Sequence, residues 1–158
     1  MTWSLGSAGE SDVDKLMTWF PDAHSVDIWG GPKFRYPFDR KSFHEDCRWR
    51  EFSSYCLRNS NGDFAAFGQI GTRYKRTHLA RLVSNPQMRR QGIGRRLLEA
   101  MFEIVRAEQN HSELGLFVYK DNAPAYQCYL ALGFEVQEYP EDAPLRDECY
   151  YLTRASLA

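Results

Sequence analysis

Apolar residues recur along the chain at two spacings, and the changes of spacing mark the elements. Val13, Leu16, Met17 and Phe20 fall at helical spacing after Ser11 and Asp12, and Pro21 closes that segment. A loop rich in glycine, proline and aromatic residues follows, with Trp29, Gly30, Gly31, Pro32, Phe34, Tyr36, Pro37 and Phe38. Asp39 caps a second predicted helix that runs to about Trp49. Strands are predicted over 52–58 and 64–74, joined by Asn59-Ser60-Asn61-Gly62-Asp63, a hairpin-turn composition. Lys75, Arg76 and Thr77 make a second turn into a third strand over 78–84.

The clearest helix follows. Leu97, Leu98, Met101, Phe102 and Val105 form one apolar stripe, while Arg95, Arg96, Glu99, Glu103 and Arg106 take the opposite face. Residues 114–119 read as a short buried strand. Asp121 or Asn122 caps the next helix, Pro124 fits its first turn, and Gly133 ends it. Two last strands, near 134–139 and 148–153, flank an acidic loop. The order αα, βββ, α, β, α, ββ predicts a single α/β domain over residues 1–158, with a mixed, mostly antiparallel central sheet flanked by helices.

Composition narrows the function classes. At 158 residues, folding removes about 70% of the unfolded chain's surface from water, so one core is sustainable. The net charge of −1 lacks the basic footprint on which nucleic-acid affinity rests. No apolar run approaches the roughly 20 residues that span a bilayer, and the first residues lack a signal-peptide pattern. Cys47, Cys56, Cys128 and Cys149 are scattered, as are four histidines, in no disulfide or metal-ligand spacing. A reduced, cytoplasmic enzyme without metal, nucleic-acid partner or membrane partner is the expectation.

The candidate chemistry lies where the third strand passes through Asn85-Pro86 into Arg89-Arg90-Gln91-Gly92-Ile93-Gly94-Arg95 and the long helix. Glycines at a helix start let successive backbone N–H groups face one point, and the helix terminus adds partial positive charge. Arg89, Arg90 and Arg95 add guanidinium groups that fork onto phosphate oxygens. A pyrophosphate is the natural guest. A dinucleotide fingerprint would need a third glycine where Leu97 stands, and no Walker sequence is present.

This stretch resembles the cofactor signature of the GNAT N-acetyltransferases, Arg/Gln-x-x-Gly-x-Gly/Ala, through Arg89, Gly92 and Gly94. A second block, from Asn122-Ala123-Pro124-Ala125 through Tyr129 to Gly133-Phe134, is similar to the family's Asn-x-x-Ala…Tyr-x-x-x-Gly-Phe segment. The likeness is good over about residues 50–155. It implies that acetyl-CoA is the cosubstrate, with backbone groups of Leu82, Val83 and Ser84 meeting its pantetheine arm. The arm would lie in a gap between splayed strands, and the pyrophosphate on residues 89–95. Asn122 would cap its helix and bond the pantetheine.

The same resemblance implies direct attack by an amine, with the thioester carbonyl polarised by the Leu82 N–H and Tyr129 as general acid toward sulfur. Cys128 and Cys149 then need no nucleophilic role. Relatives that acetylate ribosomal protein N-termini carry a glutamate where this chain has Phe117. The base is therefore open between His78 and a water chain. Trp29, Phe34, Tyr36 and Phe38 either pack in the core or overhang the acceptor side. Glu138, Glu141, Asp142, Asp147 and Glu148 would attract a cationic amine. The acceptor is a small-molecule or peptide amine, and a homodimer is compatible with this reading. The rival is an acetyl-CoA-binding sensor with weak turnover.

Overall fold

The computed structural model describes residues 2–88 and 92–156. In chain order the elements are β1 (Ser4–Ser7), α1 (Glu10–Met17), α2 (Ala23–Gly30), α3 (Arg40–Asp46), β2 (Ser53–Arg58), β3 (Phe64–Arg73) and β4 (Arg76–Ser84). They continue with α4 (Ile93–Glu108), β5 (Glu113–Tyr119), α5 (Ala123–Ala131), β6 (Glu135–Gln137) and β7 (Cys149–Ala155). The strands form a seven-stranded sheet in the order β1-β2-β3-β4-β5-β7-β6. β4 and β5 run parallel, whereas β1–β2, β5–β7 and β6–β7 are antiparallel. The α/β class and mixed sheet expected from the pattern are therefore present.

Contacts divide the chain into two compact units, Met1–Gln69 with Arg81–Leu97, and Ile70–Ala80 with Leu98–Ala158. The first unit is built on aromatic rings. Val13 and Leu16 of α1 are buried, as are Val26 of α2 and Phe43 of α3. Trp29 stacks on Phe20 at 4.3 Å and on Phe43 at 5.7 Å, and Phe34 meets Phe43 edge-on at 5.4 Å. Each such ring taken from water contributes roughly 1.5–3 kcal/mol. The aromatic segment 29–38 is thus core: Trp29 and Phe38 pack against the buried cluster that contains Phe34. Tyr36 alone of the four is exposed, its hydroxyl donating to the Pro21 carbonyl at 2.9 Å.

Local signals explain most of these elements, with corrections. Asp39 does cap α3, accepting from the Ser42 N–H at 2.8 Å, but the helix stops at Asp46 rather than near Trp49. α1 starts at Glu10, where the Gly9 N–H donates to the Asp12 carboxylate at 2.8 Å, and it ends at Met17, before Phe20. The segment after Pro21 is a helix rather than a loop. Asp22 accepts from the Ser25 N–H at 2.8 Å and starts α2, two turns that the neighbouring glycines and proline hide. β1 was not expected; its four residues, Ser-Leu-Gly-Ser, have no strand pattern and are held by pairing with β2 from Ser4↔Arg58 to Ser7↔Tyr55. The β3–β4 turn falls at Tyr74 and Lys75, both at positive φ, so that Arg76 and Thr77 already belong to β4.

In the second unit the apolar stripe of α4 from Leu98 to Val105 is buried as the periodicity requires. β5 pairs with β7 along its whole length, from Glu113↔Ala155 to Tyr119↔Cys149. Arg154 lies over the Phe102 ring at 4.2 Å and donates to the Leu132 carbonyl at 2.8 Å, which ties the end of α5 to β7. Gly115 is the tightest point: a Cβ there would overlap the Tyr151 hydroxyl. Gly115→Ala is therefore expected to destabilise the protein by about 1–3 kcal/mol in denaturant melts. Tyr151→Phe in the same background should recover part of that loss; equal costs in both backgrounds would mean that the hydroxyl is not the obstacle.

Candidate active site

β4 changes course before the predicted cofactor residues. Its ladder with β5 consists of two pairs, Thr77↔Leu114 and His78↔Gly115, although both strands continue. Three residues later Arg81 adopts φ +50°, a left-handed conformation that a side chain beyond glycine takes at a cost of roughly 1–2 kcal/mol. A brace within the first unit holds it. The Trp29 indole N–H donates to the Arg81 carbonyl at 2.8 Å. The Arg81 guanidinium donates to Gln69 Oε1 at 2.7 Å and lies 5.3 Å from the Phe52 ring centroid. Gln69, fully buried, uses its amide N–H groups on the Cys47 carbonyl at 3.0 Å and the Ser54 hydroxyl at 2.9 Å. Leu82, Val83 and Ser84 follow directly, half-buried, on the part of β4 that lies outside the β5 ladder.

Asn85 then fixes the turn into the helix. It is buried, its N–H donates to the Ala65 carbonyl at 2.8 Å, and its amide donates to the Phe64 carbonyl at 2.9 Å. Its Oδ1 accepts from the Gln87 N–H at 2.9 Å. Arg89, Arg90 and Gln91 lie outside the described residues. Gly92 takes φ +64°, and its carbonyl accepts the first helical bond, from the Arg96 N–H at 3.1 Å. The N–H groups of Ile93, Gly94 and Arg95 thus precede the intrahelical ladder. Ile93 is buried and anchors the helix start, whereas Gly94 and Arg95 are exposed. A Cβ built on Gly92 or Gly94 meets no atom of the described residues within 4 Å. These residues fit a pyrophosphate.

The second block lies in the other unit. Asn122 is the N-cap of α5, with Oδ1 accepting from the Ala125 N–H at 3.4 Å. Tyr129 sits in the last turn of α5, its carbonyl accepting from the Phe134 N–H at 3.0 Å and its ring edge-on to Phe134 at 6.0 Å. Burial pushes the Tyr129 phenol up to about 12, so it remains protonated throughout the physiological range. Burial likewise pushes Cys47 and Cys56 to about 12 and Cys149 to about 11, which leaves these thiols protonated and poor nucleophiles. His78 is 3% exposed, its ring 5.5 Å from Phe117 and 6.4 Å from Tyr74. Phe117 itself faces Tyr139 and Tyr151 at 5.3 and 5.0 Å.

Sequence reasoning passed over Gln69, Arg81 and Asn85. Asn-Pro ahead of a glycine motif is a turn signal that points to Asn85, and a glutamine inside the apolar run 64–70 points to Gln69. Nothing in the sequence marks Arg81, because arginine is no signal for a left-handed backbone.

The profile of the Acetyltransferase (GNAT) family matches residues 15–134. The chain belongs to this family. An N-alpha-acetyltransferase of Sulfurisphaera tokodaii is 32% identical over 85 residues, 54% of this chain and 51% of the relative, so the chain matches about half of that protein's length. Among solved structures, the ribosomal-protein-S18-alanine N-acetyltransferase from Escherichia coli superposes with a TM-score of 0.69 at 21% identity, covering 98% of this chain and 94% of the other. The spermidine N-acetyltransferase from Vibrio cholerae, in complex with CoA and spermine, gives 0.77 at 10% identity over 98% and 96%. These two likenesses are of fold.

Two substitutions test this half of the site. Gly94→Asp places a carboxylate in the second position of α4, where it suits the helix terminus and replaces a poor helix former. The ligand-free protein should gain about 0.5–1 kcal/mol in denaturant melts, yet coenzyme A affinity by calorimetry should fall on the order of 100-fold or more. Unchanged affinity would mean that the phosphates bind elsewhere. Gln69→Leu strips Arg81 of its acceptor and should cost about 1–3 kcal/mol of stability. Coenzyme A affinity should fall with it; intact affinity would separate the brace from the cofactor strand.

Proposed function

We propose that the protein transfers the acetyl group of acetyl-CoA to a primary amine of a small molecule or peptide by direct attack. The observation that carries this reading is the continuous run from the braced end of β4, beyond the β5 ladder, through Asn85 to the glycine start of α4. Main-chain groups of Leu82, Val83 and Ser84 would bond the pantetheine, and residues 89–95 the pyrophosphate. The Asn122 amide, exposed beyond its cap, would add a donor. Family membership supports the same assignment. Relatives of the same fold carry the names of acetylases for spermidine and for the alanine of ribosomal protein S18, so the fold accommodates small and peptide amines alike.

In the proposed step the lone pair of the neutral amine attacks the thioester carbon, whose oxygen is polarised by the Leu82 N–H. The C–N bond forms, the C–S bond breaks, the sulfur takes the Tyr129 proton, and the proton that nitrogen loses on becoming an amide restores the phenol. An alkylamine of reference pKa about 10.4 is less than about 0.1% neutral at pH 7, so its proton must first leave. Phe117 supplies no carboxylate and His78 is buried, which favours a water chain to bulk. The raised pKa values of Cys47, Cys56 and Cys149 argue against an acetyl intermediate on these three thiols.

The raised Tyr129 pKa favours the second reading, an acetyl-CoA sensor with little turnover. A phenol pushed up to about 12 is a weak donor to a thiolate whose reference pKa is about 8.5. Coenzyme A release over an amine panel separates the two readings. For an enzyme, Tyr129→Phe should lower the single-turnover rate by about 10²–10⁴ while acetyl-CoA affinity changes little. Because the raised pKa keeps the phenol protonated as pH rises, kcat/KM should climb with amine deprotonation and show no descending limb below about pH 11. A rate within about threefold of the native protein would remove Tyr129 from the mechanism.

A further inference from the structure

The carbonyl that Trp29 grips shares its peptide unit with the Leu82 N–H. That peptide is trans, and a trans peptide is a rigid plane whose C=O and N–H point in opposite directions. A donor that fixes the Arg81 oxygen at 2.8 Å therefore also fixes the line of the Leu82 N–H, which points away from the indole. The same bond draws electron density from the peptide nitrogen to its oxygen. Chains of hydrogen bonds polarise one another in this way, by about 10–30% per bond, so the Leu82 N–H becomes the better donor. Trp29 thus acts one peptide beyond its own contact.

The indole is immobilised as this role requires. Its ring lies 4.3 Å from Phe20, 5.6 Å from Phe34 and 5.7 Å from Phe43. Phe34 closes on it because position 30 is glycine, where a Cβ would overlap the Phe34 ring. α2 carries Trp29 in its last turn, which fixes its backbone. On the Arg81 side, Gln69 Oε1 accepts from the guanidinium at 2.7 Å, so the carbonyl and the side chain of Arg81 are both tethered. Trp29, Gln69, Arg81 and Leu82 all belong to the first unit. A phenylalanine would supply much of the ring packing. The N–H is what an indole adds, and here it is given to this one carbonyl.

We infer that Trp29 is a positioning residue for acetyl transfer: through the Arg81–Leu82 peptide it aims and strengthens the N–H that polarises the thioester carbonyl. The inference rests on the acetyltransferase reading and deepens it. The test replaces Trp29 in the full-length protein by benzothienylalanine, in which sulfur takes the place of the indole N–H in a ring of nearly the same shape. A second protein carries 5-fluorotryptophan at position 29, which keeps the N–H and makes it the stronger donor. Three readouts are compared with the native protein: acetyl-CoA affinity by calorimetry, the single-turnover rate with the best amine of a panel, and the infrared band of bound acetyl-CoA labelled with carbon-13 at the thioester carbonyl. Benzothienylalanine should lower the rate at least about tenfold, a part of what losing an oxyanion donor outright costs. Affinity should stay within about twofold, because the donor matters most in the transition state. The carbonyl band should move to higher wavenumber with benzothienylalanine and to lower wavenumber with 5-fluorotryptophan, a reversal of sign that ring packing alone would not produce. A band unmoved by both replacements, or a rate that falls only in step with affinity, overturns the inference. Should the native protein bind acetyl-CoA and transfer nothing to any amine, the acetyltransferase reading falls, while the band still decides whether Trp29 acts on the thioester carbonyl. If acetyl-CoA does not bind, both fall.

Discussion

A strand hydrogen-bonded to neighbours on both edges has no main-chain group to offer a ligand. β4 escapes this on its β5 edge because its ladder stops at His78↔Gly115 and its backbone turns left-handed at Arg81. That conformation is costly for an arginine, and the residues around it are arranged to hold it. An indole N–H takes the carbonyl and a buried glutamine takes the guanidinium. Gln69 in turn completes its own hydrogen bonds on the Cys47 carbonyl and Ser54. The ring cluster of the first unit acts through this brace: Trp29 stacks in the core with its faces and holds β4 with its indole N–H.

The step from β4 into α4 continues the same logic. Asn85 satisfies the backbone of Phe64 and Ala65 while its own Oδ1 starts the turn, so the chain reaches Gly92 from a fixed origin. Gly92 supplies the positive φ, and Gly94 adds no side chain at the helix terminus. The helix dipole and the N–H groups that precede the intrahelical ladder lie at this terminus, an arrangement that phosphate oxygens satisfy. In the proposed function, a phosphorylated cosubstrate would meet these backbone groups.

What the sequence made legible follows from where the determinants lie. The α4 stripe, the Asp39 and Asn122 caps and the hairpin between β2 and β3 are set by residues near one another in the chain, and each was readable. The glycine motif was readable because glycine itself is the requirement. β1 and the Arg81 conformation are fixed by partners far away in sequence, through pairing with β2 and through Trp29 and Gln69. α2 was local yet masked, since Gly30, Gly31 and Pro32 after it dominate the pattern while Asp22 and Ser25 carry the start. Tyr129 was placed by its family motif, but its raised pKa depends on what surrounds the ring and no motif encodes that.

The division of the chain into two units has a consequence for how the molecule comes into being. Neither unit is one continuous stretch: the first needs Arg81–Leu97 after an excursion into the second, and the second takes Ile70–Ala80 from before that return. During synthesis the aromatic helices α1 to α3 emerge well ahead of Arg81, the residue that Trp29 and Gln69 must grasp. Vectorial folding of a finished N-terminal module, common where domains are contiguous, is closed to this chain. Until residues 81–83 have left the ribosome, the ring cluster lacks Val83 and the Trp29 indole lacks the Arg81 carbonyl that it binds. A nascent chain stalled short of that point would be sticky, protease-sensitive and a natural client for chaperones.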